Sequence, residues 1–418
     1  MPTCTERFVD HDKMKGSLNY LDMNMVNGKL DYVLQEDQRI KLIEFRKLVA
    51  DILEPNHDDQ FLLRWLKARD FDLSKAQRMF RESHKFRKKI GADTILTPAY
   101  EFPDVYKKYP ISQYLGFDNE NSAVRLFMVG ILDYKGYVHS LPVIDLMKIL
   151  IYFLENDLKM MHERKKSVGI FEEKSTFILD FSGFSLKQFN DKSVINAGIQ
   201  LITMYQDNYP ETLKAAYLIN VPSYFSWIFN IFKPFLNAVT LSKIKIYKTD
   251  EWQDELWKIV DKDLVPAFLG GNRTDPDGNP KCTTLVNWDS KIDTIYYMKE
   301  NNNRGGPDPD MKSAVVQQRS SLQVPVDIES KGSILKWAFR TKECNIKFGL
   351  FYRKTDKSLE ELLPVENVDC QLIPEENEYL CKKTGTYVLY FDNSYSWLTA
   401  KQLYYKVEVE APQIIQTQ

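Results

Sequence analysis

Apolar residues recur at helical spacing through residues 35–95. In the first predicted helix the positions close to a 3.6-residue period are Ile40, Ile43, Leu48 and Ile52. Asp58 and Asp59 precede the second apolar run and Ser74 begins the third, and all three are typical N-cap residue types. Gly91, which follows a basic stretch, indicates the end of the third helix. We therefore predict a small helical module without strands.

Between Ser122 and Gly270, short apolar runs alternate with helical segments. The runs predicted as strands are AVRLFMVGIL, STFILDFSG, KAAYLINVP and SKIKIYK, and the segments predicted as helices are Leu141–Glu163, SVINAGIQLITMYQDNYP and residues 251–260. The strands are continuously apolar, which is typical of a sheet that is buried on both faces. The pattern predicts an α/β layer with a mostly parallel sheet.

The pattern changes after Gly271. Turn-forming residues dominate GNRTDPDGNPKC and KENNNRGGPDPDMK, and the second of these is typical of an interdomain linker. Beyond it, apolar and polar residues alternate, as they do at Leu322, Val324, Val326 and Ile328. Short alternating strands predict an all-β, jelly-roll-like sandwich.

The predicted fold is therefore an α/β domain with an N-terminal helical module, followed by an all-β sandwich. The predicted boundaries are a polar N-terminal tail over residues 1–34, the helical module over 35–95, the α/β domain over 96–272, a turn-rich linker over 273–312, the β-sandwich over 313–412 and a C-terminal tail over 413–418.

Composition narrows the possible functions. Hydrophobic residues make up 44% of the chain and charged residues 27%, and the net charge of -2 provides no basic field for nucleic acid. The five cysteines form no CxxC pair, which argues against a disulfide framework and a zinc site. No stretch has the roughly 20 apolar residues of a membrane-spanning helix, and the charged N-terminus lacks a secretory signal. We expect a cytoplasmic protein without a metal or cofactor.

Sequence signatures of catalysis are missing. The chain has no GxSxG, GxGxxG or Walker A motif, and its five histidines include no HExxH. Asp180 ends a predicted strand, where α/β proteins often place ligand-binding groups, but Asp and Ser before Gly commonly just form a turn. We expect that the protein is not an enzyme, although a hydrolase whose residues are dispersed along the chain stays open.

The segment Tyr224–Leu236 is far more apolar than its neighbours. It holds nine large apolar or aromatic side chains, whose burial is worth on the order of 15–25 kcal/mol. Its polar residues, together with the one that follows it, are Ser226, Asn230, Lys233 and Asn237. This spacing places them on one narrow stripe of a helix. Such a helix is either buried in a protein core or faces lipid on its broad apolar side.

Several segments resemble a known family. DDQFLLRWLKARDFDLSKAQRMF is similar to the helical lead-in of CRAL-TRIO lipid-binding domains. STFILDFSGFSL, YQDNYPETLKAAYLINVPSYFSWIFNIFKPFL and LSKIKI are similar, in order, to the core of that domain. TDPDGNPKC and the final YVLYFDNSYSWLTAKQLYYKVEV resemble the subgroup with a C-terminal GOLD domain, of the supernatant protein factor or tocopherol-associated protein type. The resemblance covers the chain from Gln35 onwards.

The resemblance implies a lipid-transfer protein. Its cavity would hold one hydrophobic ligand, such as tocopherol, squalene or a similar neutral lipid, and a gate helix would close the cavity and open it at a membrane. The residues implied for lipid contact are Phe225, Ile228, Phe229 and Phe232 on the gate helix, and Phe177, Leu179, Phe181, Tyr217 and Ile219 on two strands. The GOLD-like sandwich would contact a protein partner, or Golgi or endoplasmic reticulum membranes.

Three residues are candidates for binding a lipid head group. Arg69, Glu211 and Lys243 match head-group positions in the phosphatidylinositol-transfer branch of the family. Asp70 and Thr212 depart from that branch, which has a lysine and an arginine there. Fewer cations mean fewer charge-assisted hydrogen bonds to a phosphate, and this favours a neutral ligand.

Other interpretations stay open. Arg69 could instead form an ion pair at the end of a helix, and Lys243 could be an exposed lysine at the edge of a strand. Pro210 and Glu211 fit the start of a helix. The alternative functions are a phosphatidylinositol or phosphatidylcholine transfer protein, and an interaction adaptor that works through the GOLD-like domain without bound lipid.

Overall fold

The computed structural model describes residues 23–26, 29–32, 34–169, 173–249, 251–298, 310–342, 344–368, 370–371 and 374–412. Strands β1 (Met23–Val26) and β2 (Lys29–Tyr32) pair antiparallel. The rest of the predicted N-terminal tail up to residue 33, residues 299–309 of the predicted linker and the C-terminal tail lie outside the described residues.

Three helices form the N-terminal module: α1 (Glu36–Leu48), α2 (Asp59–Lys67) and α3 (Leu73–Ile90). Asp58 caps α2 by accepting a hydrogen bond from the Phe61 amide, as predicted. The predicted cap at Ser74 is wrong, because Asp72 accepts the bond from the Lys75 amide and places Ser74 inside α3. Gly91 ends α3 in the left-handed region, with φ of 75°, as predicted.

The buried face of α1 differs from the predicted one. Ile40 and Ile43 are 48% and 53% exposed, whereas Leu42, Phe45 and Val49 are buried. Both sets fit a helical period, so spacing alone does not choose between them. The aromatic ring of Phe45 packs into the core of the module, and its position decides which face turns inward.

The α/β domain follows. Its elements are α4 (Asp104–Lys108), β3 (Ser112–Phe117), β4 (Ala123–Phe127), α5 (Tyr134–Ser140), α6 (Val143–Val168), β5 (Ser175–Asp180), α7 (Lys192–Asn208), β6 (Leu213–Ile219), α8 (Phe225–Phe232), α9 (Ala238–Ser242), β7 (Ile244–Ile246) and α10 (Gln253–Leu256). The sheet order is β3-β4-β5-β6-β7, and only β3 runs antiparallel to its neighbour. The predicted, mostly parallel sheet is confirmed.

Helix α6 lies against the sheet and contributes to a buried ion pair. Arg125 in the middle of β4 donates hydrogen bonds from its guanidinium to both carboxylate oxygens of Asp157 on α6. Both side chains are almost completely buried, and Arg125 also donates to the Ser112 hydroxyl. The pair therefore joins α6 to the interior of the sheet.

Among the described residues, no single helix combines the length and apolarity needed to cross a bilayer. Helices α5 and α6 meet the criterion only as a pair, and the chain bends by 112° between them.

Residues 273–298, which were predicted as part of a linker, pack against the α/β domain. Ile292 is buried there, and its amide donates to the Asp133 carboxylate. The Asn287 side chain donates to the carbonyl of Lys108. This part of the chain therefore extends the α/β domain.

The C-terminal domain is the predicted β-sandwich. Its strands are β8 (Lys312–Val316), β9 (Ser321–Ile328), β10 (Ile334–Thr341), β11 (Ile346–Arg353), β12 (Leu359–Val368), β13 (Glu375–Leu380), β14 (Gly385–Asp392) and β15 (Lys401–Glu410). They form two antiparallel sheets, ordered β13-β10-β15-β8 and β12-β11-β14-β9. Phe339, Phe348 and Phe391 pack in the core of the sandwich.

Replacing Asp157 with Asn should destabilise the α/β domain strongly. Arg125 would keep its buried charge without a counter-ion, and breaking such a pair typically costs about 3–5 kcal/mol. The melting temperature measured by circular dichroism should fall clearly. Asp104→Asn is the control, because the ion pair of Asp104 with Lys107 is exposed and worth little. Equal melting temperatures for the two variants would contradict this account of the pair.

Candidate functional site

The apolar segment singled out in the sequence forms helix α8 and a short 3-10 turn, Lys233–Phe235. Phe225 and Ile228 are buried, and Phe229 and Phe232 are half-buried. The polar stripe is exposed along its whole length: Ser226, Asn230, Lys233 and Asn237. The helix thus presents its apolar side to the protein and its polar stripe outward.

Helix α8 covers a cluster of apolar side chains from the sheet, from α7 and from the loop that joins them. We call this set the α8 cluster; its buried members are Phe181, Phe184, Phe189, Val194, Leu213, Ala216, Leu218, Val221, Phe225 and Ile228. The rings of Phe181 and Phe225 meet edge-to-face, with centroids 4.8 Å apart. Phe189 and Phe232 meet at 6.4 Å, near the other end of the helix.

One close approach fixes the position of Phe232. Its ring lies against Gly198 on α7, where a Cβ atom would come within 2.8 Å of Phe232 Cε1. Glycine in the middle of a helix costs about 0.8–1 kcal/mol relative to alanine. Here the missing side chain provides the space that the Phe232 ring occupies.

Hydrogen bonds hold the α8 segment at both ends. The Tyr224 hydroxyl donates to the carbonyl of Phe184 at 2.6 Å. Beyond the 3-10 turn, the Asn237 amide donates to Gln206 Oε1 on α7 at 2.8 Å. Both contacts lie outside the helical residues of α8 and anchor the segment at its two ends.

The register of the sheet decides which strand residues face α8. Phe177, Leu179 and Phe181, three of the predicted lipid contacts, belong to the α8 cluster or pack against it. Phe177 pairs with Ala216, and Leu179 pairs with Leu218, so these β6 residues share the face of their β5 partners. Tyr217 and Ile219 were predicted for this face, and the prediction is wrong. They pack in the core on the opposite face of the sheet.

On the face of the sheet toward α8, two side chains of β5 keep accessible surface. Ile178 on β5 is fully buried on the far face, whereas its neighbours Phe177 and Leu179 are only half-buried although helices cover them. Tyr205 on α7 is also only half-buried. Its side chain keeps accessible surface although burial raises the pKa of its phenol well above the ordinary value. Three side chains beneath the helices on this face of the sheet therefore keep accessible surface.

Exposed apolar residues surround the outer side of α8. Trp227 is 54% exposed, and the other large apolar residues exposed nearby along the chain are Tyr224, Phe235, Val239 and Ile246. Lys233 is exposed among them. Such a set of apolar groups beside a cation can contact an apolar or amphipathic surface.

At the amino end of the parallel strands lies a group of ion pairs. Lys243 Nζ contacts Glu211 Oε2 at 3.0 Å, so the structure brings two of the three head-group candidates together. The alternative in which Glu211 starts a helix is wrong: it lies in the turn before β6, with φ of 58°. The alternative of an exposed edge for Lys243 is also wrong, because its side chain is only 20% exposed.

Arg69, the third candidate, lies one residue beyond the C-cap of α2. Its guanidinium donates to the carbonyl of Ala68 at 2.8 Å. Among the described residues it has no carboxylate partner, so the alternative of an ion pair at the helix end is not supported there. The two residues that follow it, Asp70 and Phe71, both have positive φ.

Sequence reasoning missed a polar surface of α2 that faces this end of the sheet. Gln60, Leu63, Arg64 and Lys67 on α2 line a small cavity of about 30 Å³ together with Glu173, Lys174 and Glu211. Arg64 contacts Glu173 at 3.4 Å, and Lys165 contacts the same carboxylate at 2.8 Å. The i, i+3, i+4, i+7 spacing of the α2 residues is the signal that could have identified this face.

Four cations at this end of the sheet have carboxylate partners, namely Arg64, Lys165, Lys214 and Lys243. Lys214 contacts Asp118 at 2.8 Å and Glu120 at 2.7 Å, in addition to the Lys243–Glu211 pair. The described residues contain no group of three or more His, Cys, Asp and Glu side chains arranged to hold a metal ion. The site therefore combines an apolar region under α8 with a charge-balanced polar end.

Comparisons with known families match this arrangement. The family model described as "CRAL/TRIO domain" matches residues 107–271, and the one described as "CRAL/TRIO, N-terminal domain" matches residues 37–82. Together they cover half of the chain, including α2, α8 and all five strands of the mostly parallel sheet. The β-sandwich lies outside both matches.

Relatives extend the comparison. Protein ctg-1 of Caenorhabditis elegans is 26% identical over 383 residues, which is 90% of this chain and 96% of ctg-1. Phosphatidylinositol/phosphatidylcholine transfer protein SFH12 of Arabidopsis thaliana is 33% identical over 58% of this chain, which matches 46% of SFH12. This chain thus spans nearly all of ctg-1 but less than half of SFH12. The crystal structure of Sfh5 aligns with 63% of this chain and 95% of its own, with 17% identity and a TM-score of 0.46.

Replacing Gly198 with Ala should loosen α8. The new Cβ would meet the Phe232 ring at 2.8 Å, so the ring must leave its place. Amide hydrogen exchange over residues 225–235 should become several-fold faster, while α7 stays helical because Ala favours a helix. The double variant G198A/F232L should restore slow exchange, since a smaller side chain fits beside Ala. Unchanged exchange in G198A would contradict the role of this contact.

Proposed function

Because the chain belongs to the CRAL-TRIO family, we propose that it is a lipid-transfer protein that binds one hydrophobic ligand under α8. It does no catalysis: α8 acts as a gate helix that closes over the ligand and opens at a membrane. The observation that supports this most directly is the apolar face beneath α8, where Phe177 and Leu179 keep accessible surface. A ligand there would cover these two side chains and supply apolar contacts to them.

The ligand that we propose is a neutral lipid such as tocopherol or squalene. A phosphate needs cations that are available to it, and Lys243 and Lys214 are already paired with carboxylates. Asp70 next to Arg69 places a further negative charge there. The balance of charge at the polar end favours a ligand without a phosphate.

One observation favours a phospholipid instead. SFH12, which is 33% identical over the shared region, is named as a phosphatidylinositol/phosphatidylcholine transfer protein. In that case Arg69, Glu211 and Lys243 would hold the head group, and Lys243 would have to exchange its bond to Glu211 for one to phosphate.

Ligand exchange needs contact with a membrane, and the outer side of the gate helix suits it. Trp227 and Phe235 are exposed there with Lys233 beside them, and aromatic and basic groups favour the lipid–water interface. We further propose that the protein works in the cytoplasm and touches intracellular membranes, of the Golgi or the endoplasmic reticulum, only transiently.

The GOLD-like β-sandwich supplies a second contact surface in this proposal. Trp397 and Leu398 in the loop between β14 and β15 are 70% and 93% exposed. Arg319 lies over the Trp397 ring at 3.8 Å. An exposed aromatic and aliphatic pair on a β-sandwich loop suits recognition of a protein partner.

The double variant F225D/F229D should abolish lipid transfer. Two carboxylates on the buried side of α8 cannot pack against the α8 cluster without a large desolvation cost. Transfer of α-tocopherol between phosphatidylcholine vesicles, followed by fluorescence, should fall by at least about tenfold.

The matched control is S226D/N230D, which adds the same two charges to the exposed stripe of the same helix. Its transfer rate should stay close to that of the unchanged protein, because surface substitutions rarely matter for packing. Equal rates for F225D/F229D and the control would show that α8 is not a gate. An adaptor would also keep its protein partners in both variants.

Replacing Lys243 with Ala separates the two ligand classes. Loading with α-tocopherol should be unchanged, because a neutral lipid makes no charge-assisted bond to the ammonium group. The control is Lys245→Ala, which removes a nearby lysine that donates to the Tyr217 hydroxyl instead. Measured loading with phosphatidylinositol that is strong in the unchanged protein and lost only in K243A would overturn the neutral ligand in favour of a phospholipid.

A further inference from the structure

A second cavity lies at the carboxyl ends of the parallel strands, on the face of the sheet turned away from α8. Its volume is about 430 Å³, and it is bounded by the ends of β5 and β6, by α10 and by residues 268–270 and 288. The ligand cavities of proteins usually measure about 300–1,000 Å³. The size is therefore sufficient for a small organic molecule.

The sheet separates this cavity from the region under α8. Side chains alternate along β5, so Asp180 shares the far face with Ile178, while Phe177 and Leu179 face α8. Asp180 also pairs in register with Ile219, which packs in the far-face core. A ligand in the second cavity would therefore not share the lipid's space.

Asp180 is the one charged side chain among the described residues that line this cavity, and it is only 2% exposed. Its Oδ1 atom accepts hydrogen bonds from the Ser182 amide at 3.0 Å, from the Ser182 hydroxyl at 2.7 Å and from Asn220 Nδ2 at 2.7 Å. These bonds make the turn that the sequence predicts. Oδ2, in contrast, accepts no hydrogen bond from the part of the chain that the structure describes.

Within the described part of the chain, no cation balances this carboxylate in the cavity. The described lining residues include no Lys or Arg, and none forms an ion pair with Asp180. A buried carboxylate without a counter-ion is unfavourable unless water or a ligand solvates it. The electrostatic potential in the cavity is therefore negative, which disfavours anions and favours a cation.

Aromatic side chains form much of the remaining wall. Trp252, Phe268 and Trp288 line the cavity, and the rings of Phe268 and Trp288 meet edge-to-face at 5.0 Å. Both indole N–H groups are engaged elsewhere: Trp252 donates to Asn220 Oδ1 and Trp288 to the carbonyl of Lys281. The tryptophans therefore offer a ligand their π-systems rather than hydrogen bonds.

We propose that this cavity binds a small organic ammonium ion. The ammonium group lies near Oδ2 of Asp180 and against the aromatic wall, since a carboxylate and indole rings together attract a soft, weakly hydrated cation. A metal ion fits less well, because the described residues supply no set of three acidic, His or Cys ligands. The site is independent of the proposed lipid function.

The test is isothermal titration of the full-length protein with choline and with its neutral isostere 3,3-dimethyl-1-butanol. Choline should bind at least about tenfold more tightly than the isostere, because only choline carries the charge. Asp180→Asn keeps an oxygen for the Ser182 and Asn220 bonds but removes the charge, and it should abolish this preference. The control D277N removes a carboxylate from an exposed turn and should leave the preference intact.

A second variant, Trp288→Ala, keeps the test valid if D180N does not fold. Trp288 is half-exposed, so its loss should leave the melting temperature nearly unchanged and weaken choline binding several-fold. The gate variant F225D/F229D should bind choline normally, which distinguishes failure of the lipid proposal from failure of this one. Equal affinity for choline and the isostere, or choline binding that survives in both D180N and W288A, would overturn the proposal.

Discussion

The structure depends on covering one face of its mostly parallel sheet. On the far face Ile178 and Tyr217 are buried, but on the near face Phe177 and Leu179 remain partly accessible beneath α8. An apolar face of this kind cannot be left open to water, and α8 covers it. In the proposed function, a lipid lies between this face and α8.

Specific contacts hold α8 over this apolar face and close the amino end of the sheet. Helix α8 and the residues beside it are held by the ring of Phe232 at Gly198 and by hydrogen bonds of Tyr224 and Gln206. The amino end of the sheet is closed by paired charges, among them Lys243 with Glu211. In the proposed function, the lipid lies between α8, which acts as the gate, and a polar end that is held by ion pairs.

The sequence predicted the parts of this arrangement that depend on local pattern. Continuous apolar runs predicted the strands, and the polar stripe with Ser226 and Asn230 identified the side of α8 that faces outward. Features that depend on neighbours were missed. Alternate residues of β6 point to opposite faces of the sheet, and both sets are apolar. Only the register of β6 with β5 therefore shows that Leu218, and not Tyr217, faces α8. The charged face of α2 meets its partners about a hundred residues away along the chain, and no local pattern encodes that meeting.

The most direct test of the account is to purify the protein without detergent, extract it with organic solvent and identify the released lipid by mass spectrometry. The account predicts a near-stoichiometric neutral hydrophobe, such as a tocopherol or an isoprenoid. A phospholipid in that amount would keep the carrier but contradict the neutral ligand. No lipid, either in the purified protein or after incubation with tocopherol, squalene and phospholipids, would contradict the account as a whole.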